Sequence, residues 1–120
     1  MPVAKPPNAA AAPVPERAGA VLPFTEIWLV DFEFVAGDGD VPRPVCMVAR
    51  EYRSGREIRM WEDELNRLRA APFDTGPRSV MVAYFASAEI GCFEALGWER
   101  PANIIDLFAE FRVETNGLRL

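Results

Sequence analysis

The sequence contains no histidine among its 120 residues. That absence removes Ser–His–Asp and Cys–His nucleophile systems, histidine-rich zinc sites and any histidine general base within the chain. Cysteine is scarce. Cys46 and Cys92 stand far apart, without CxxC spacing, each in an apolar run; this is the setting of two reduced core thiols rather than of a metal or disulfide framework. Positive charge is also short. Thirteen Lys and Arg face eighteen Asp and Glu, a net charge of −5. A general nucleic-acid coat protein would carry the opposite balance, because affinity for phosphate comes from surplus cations. An enzyme that meets phosphates through metal ions stays open, since the metals then supply the positive charge. No apolar run approaches about 18 residues, so no membrane span is expected.

The first stretch, "MPVAKPPNAAAAPVPERAGA", has a single lysine at its start and prolines that interrupt any hydrophobic region. It reads as a disordered Ala/Pro-rich tail over residues 1–23 of a cytoplasmic protein, not as a signal peptide. About half of all residues are apolar, enough for one real core, so residues 24–120 are expected to form one domain.

Residues 26–35 alternate with period two. Trp28, Val30, Phe32 and Phe34 share one side, and Ile27, Leu29, Asp31 and Glu33 the other, a pattern of a central strand covered on both faces. "AGDGDVPRP" is a loop by composition, "PVCMVAREY" a second strand, "RSGR" a turn and "EIRMW" a third strand, together an antiparallel meander. "EDELNRLRA" reads as a short polar helix that "APFDTGPR" breaks. "SVMVAYF" is a buried fourth strand running into the helix "SAEIGCFEALGW", with Ser87 as N-cap and Gly97 as its stop. Glu89, Cys92, Phe93 and Leu96 then share one helical face, headed by the carboxylate. "ANII" is a short fifth strand, and "DLFAEFRVETNG" a helix with Ile104, Leu107, Phe108 and Phe111 on one stripe. A helical crossover after a meander favours a mixed α/β sheet with strand four parallel to strand one.

Two acids two residues apart on one strand face lie about 7 Å apart at Cα. Buried and unpartnered, they would repel and be costly to desolvate. Divalent cations remove both penalties, because Mg²⁺ and Mn²⁺ take carboxylate oxygens together with substrate phosphates. The alternative for Asp31 and Glu33 is a strand end facing solvent or an arginine. Glu89 could serve only the helix dipole, and Asp106 only as an N-cap. All four acids nevertheless fall at the carboxyl edge of the sheet, where sites gather in α/β folds.

"WLVDFEF", "VMVAYFASAEIGCFEALGW" and "IIDLFAEFR" resemble DEDD-type 3′–5′ exonucleases of the ribonuclease H-like fold. The likeness is to the N-terminal part of the proofreading domains of phage and bacterial family A DNA polymerases, and it spans residues 26–117. Asp31-Phe32-Glu33 fits the family's D-x-E motif. Tyr84-Phe85-Ala86-Ser87-Ala88-Glu89 fits the second motif in its alanine and its final acid, with Tyr84 and Phe85 in place of His and Asn. The family's third motif, an Asp four residues after His or Tyr on a later helix, has no counterpart, which suggests a C-terminally truncated domain. The resemblance implies a ribonuclease H-like mixed sheet and two Mg²⁺ or Mn²⁺ ions held by Asp31, Glu33 and Glu89. It implies single-stranded DNA 3′ ends as substrate, stacked on Phe32, Tyr84 and Phe85, with the core as the alternative place for the Phe32 ring, and a polymerase domain or a missing C-terminal half as partner. Asp106 is a secondary site residue that looks structural. The other outcome is an inactive remnant or a small binding domain of the same fold, with apolar surface exposed at Phe108 and Phe111.

Overall fold

The computed structural model describes residues 22–36 and 41–115. The expected tail, apart from its last residues, and the middle of the "AGDGDVPRP" loop lie outside them. Five strands form one sheet in the order β3-β2-β1-β4-β5. They are β1 (Glu26–Ala36), β2 (Pro42–Glu51), β3 (Glu57–Trp61), β4 (Ser79–Ala83) and β5 (Ile104–Asp106). Strands β1, β2 and β3 make the antiparallel meander, while β4 runs parallel to β1 and β5 parallel to β4. The expected mixed sheet is therefore present, with β1 at its centre. Helix α1 spans Glu62–Leu65, α2 Ala86–Leu96 and α3 Leu107–Thr115. No helix among the described residues is long and apolar enough to cross a membrane.

The β1 alternation sends Trp28, Val30 and Phe32 into the main core, where they meet Met47, Ala49, Leu65, Phe73, Met81, Cys92, Phe93 and Trp98. Aromatic rings dominate this layer. Trp28 stacks on Phe73 at 5.1 Å between centroids, and Phe93 meets Trp98 edge-on at 5.1 Å. Each such buried ring contributes on the order of 2 kcal/mol through apolar area removed from water. The second face holds a smaller cluster: Ile27, Val80 and Val82, with Leu22, Phe24, Leu29, Tyr52 and Ile105 packed against it. Cover on that face gives out along β1. Ile27 is buried and Leu29 half-buried, while Asp31 and Glu33 are exposed. The expectation of a strand covered on both sides is thus met only at its start.

Several local expectations shift. The polar helix after β3 is four residues long, because bonding tightens to Arg67 N–H on Glu64 O and Leu68 N–H on Leu65 O, each 3.2 Å. This turn brings the Leu68 carbonyl to the indole Nε1–H of Trp98 at 3.3 Å, so a tertiary contact fixes where the helix stops. Ser87 is not the N-cap of α2. The helix starts two residues earlier than that, at Ala86, with Phe85 at the cap and no side-chain cap bond from it. Gly97 does end α2, at φ 75° in the left-handed region that glycine adopts without strain. Strand β2 begins at Pro42, and its pairing with β3 begins only at Cys46. Pro42 and Pro44 therefore lie where that flank of β2 is free, which suits a residue without an N–H.

Candidate functional site

β1 pairs with β4 only from Glu26 to Leu29. Beyond that stretch the even-numbered amides of β1 point toward a strand that is ending. At Phe32 a side chain takes over the ladder: the Glu89 carboxylate, in the first turn of α2, accepts the Phe32 N–H at 2.8 Å. Glu89 is only 5% exposed. Its position follows from the sequence of α2, where it heads the face that buries Cys92 and Phe93. Asp31 and Glu33 flank Phe32 on β1, opposite Val48 and Cys46 of β2, and the ladder slips just after Glu33. A bulge of this kind re-aims side chains at a sheet rim.

The electrostatics join the three acids. Burial pushes the Glu89 carboxyl up, the Phe32 N–H partly offsets this, and the charges of Asp31 and Glu33 push it up further, to about 7. The adjoining Cys92 thiol is raised to about 12, by burial and by the Glu89 charge. Glu51 makes the contrast. It too is buried, and burial raises its pKa, but it accepts N–H bonds from Ile27 at 2.9 Å and Ser54 at 2.7 Å, and these and further local bonds hold it below the usual carboxylate value. Glu51 is a satisfied structural acid; Glu89 has one donor and two like charges nearby.

The other expected site residues divide. The Phe32 ring is 3% exposed and packs on Phe93 and Trp98, so it cannot stack on a ligand. What Phe32 brings to the rim is its amide. Tyr84 and Phe85, just past β4, are 66% and 47% exposed. Both rings lean edge-on against Phe108 of α3, at 5.9 and 5.5 Å, and Arg112 lies over the Phe108 ring at 5.6 Å. Phe108 is half-buried as the hub of this cluster, and Phe111 is exposed. Asp106 is structural: Oδ1 accepts the Ala109 N–H at 3.1 Å, capping α3, and Oδ2 accepts the Ala86 N–H at 3.2 Å at the start of α2. It does for α2 what Ser87 was expected to do.

Sequence reasoning missed Arg50. It shares an open groove on the second face with Leu29, Asp31, Val48, Val82, Tyr84 and Leu107. The alternation of β2 in "VCMVAREY" was the available signal, since it places Val48 and Arg50 on one face. The donor set at the rim is three carboxylates, which suits a hard divalent cation. Among the described residues no three or more His, Cys, Asp or Glu are placed as a group that could hold a metal ion: Glu89 is bonded to the Phe32 amide, and Asp31 and Glu33 stand exposed on either side of it. Comparison with protein-family models, with curated proteins and with solved structures finds no match to this chain.

Proposed function

We propose that this chain is a metal-dependent 3′–5′ exonuclease-like domain of the ribonuclease H-like class, acting on DNA 3′ ends in association with a DNA polymerase. One observation carries the reading: the Glu89–Phe32 hydrogen bond fastens the acid of the second motif to the strand that bears Asp31 and Glu33. The strand order, with β4 parallel to a central β1, is compatible with that fold class. A pair of Mg²⁺ or Mn²⁺ ions would supply water activation and stabilisation of the departing 3′ oxygen. The chain's own part is to hold and orient. Asp31 and Glu33 offer exposed oxygens from one strand face, and Glu89 offers a carboxylate held at fixed depth by the Phe32 amide. Tyr84 and Phe85 present rings on which a terminal base can stack.

The test is release of label from 3′-labelled single-stranded DNA with Mg²⁺ or Mn²⁺, using Asp31→Ala as control. Release that ignores this substitution, or no metal-dependent release at all, removes the reading. A second reading, a binding or interaction domain of the same fold without turnover, is favoured by the partly open apolar face around Leu29, Val82 and Leu107. Binding of partner or strand without product release would select it.

A further inference from the structure

We propose that the groove on the open face of the sheet seats the backbone of a single strand just upstream of its 3′ end, with Arg50 as the phosphate contact and Tyr84 as the stacking ring. The inference rests on the reading of Asp31, Glu33 and Glu89 as the chemical centre, and it names how the strand reaches that centre.

The register places the groove's two charges side by side. Leu29 stands opposite Arg50, and Asp31 opposite Val48, so Asp31 and Arg50 are diagonal neighbours on one face, about 7–8 Å apart at Cα. A negative charge suited to a cation and a positive charge suited to a phosphate thus share one groove. Arg50 has donors to spare. Its Nη1 lies 3.4 Å from Glu57 Oε1, while Arg59 Nε holds the other Glu57 oxygen at 2.5 Å. Glu57 therefore keeps a partner without Arg50, and a guanidinium carries five N–H donors in a fork that fits phosphate. Leu29, Val82 and Leu107 give the groove an apolar floor, which can cover sugar and base edges. Tyr84 stands at one end, two-thirds exposed and braced by Phe108. Aromatic bracing combined with one cation is the pairing by which single strands are held without sequence preference.

The experiment measures anisotropy of a fluorescein-labelled oligothymidylate against the full chain, in EDTA, over a series of salt concentrations. Arg50→Ala should weaken binding about tenfold, the loss of one charge-assisted hydrogen bond. It should also lower the slope of log affinity against log salt by roughly 0.7, the share of one phosphate on a single strand. Arg50→Lys should keep that slope, and Tyr84→Ala should weaken binding while keeping it. Thermal melts check that each variant folds. No binding by the parent chain, an unchanged slope in Arg50→Ala, or a dimer in gel filtration that Leu29→Asp abolishes would overturn the proposal. Hydrolysis is not read, so Arg50-dependent binding without metal-dependent release would keep the strand contact at Arg50 and Tyr84 and remove the nuclease reading on which its approach to a chemical centre rests.

Discussion

The Glu89 carboxylate accepts the Phe32 amide 57 positions back along the chain, at 2.8 Å, from a residue that is 5% exposed. It replaces a strand. β4 has ended, and an acid on the following helix continues the hydrogen bonding of β1. An amide side chain could satisfy the Phe32 N–H equally well. A carboxylate there, beside Asp31 and Glu33, costs stability that a purely structural role would not require.

That cost has a pH signature. The folded-state pKa of Glu89 is raised from 4.5 to about 7, so the folded state binds the proton more tightly than the unfolded chain does. The resulting stability is fully present below about pH 4.5 and is lost as pH rises through about 7. In EDTA, Glu89→Gln should keep the Phe32 hydrogen bond and melt higher than the parent at pH 8, by about 2 kcal/mol from the removed charge. The gap should close toward pH 4.5. Thermal melts at pH 5, 6, 7 and 8 measure it, and an equal or lower melting point for the variant at pH 8 would contradict the electrostatic account.

Mg²⁺ should compete with protons for the same carboxylates. An ion bound among Asp31, Glu33 and Glu89 favours ionised carboxylates, so near pH 6.5 its binding should release protons. At several times the dissociation constant, Mg²⁺ should stabilise the chain by about 1 kcal/mol, roughly 5 °C in Tm. Asp31→Ala should abolish the shift. Titration calorimetry in two buffers of different ionisation enthalpy detects the released protons, and a Tm rise equal in parent and variant would place the ion elsewhere.

Asp106→Ala should destabilise the chain by about 1–2 kcal/mol, because two helix starts lose their acceptor. Asp106→Asn should recover most of that, since its side-chain oxygen can still accept. Neither variant should change the Tm response to Mg²⁺. A lost Mg²⁺ response in Asp106→Asn, measured in the same melts, would move Asp106 from scaffold to site.

The thiols should differ sharply in reactivity. Cys46 is half-buried on β2, whereas Cys92 is sealed and its thiol is pushed up to about 12. A maleimide or disulfide reagent should modify one thiol of the native chain quickly and the second only in denaturant. Mass spectrometry after timed quenching reads this. Equal rates at both positions would mean that α2 does not stay packed on the sheet.

Residues 26–35, 57–61 and 88–96 disclosed their elements largely through spacing, because a period of two or 3.6 with large apolar residues has few ways to bury them, although the start of the second helix was read two residues late. The same spacing put Asp31 and Glu33 together on one strand face and Glu89 at the head of an apolar helical face, so the acids were legible before any fold. Other roles were not. Phe32 gives an amide rather than a ring, Asp106 rather than Ser87 ties down the start of α2, and Arg50 joins Asp31 in one groove. Each depends on which atoms meet across 19 or more positions. Sequence periodicity fixes which way a side chain points from its own element, because backbone geometry is local. Which partner it meets there is decided by strand register and by where a neighbouring strand stops, and those are properties of the assembled sheet.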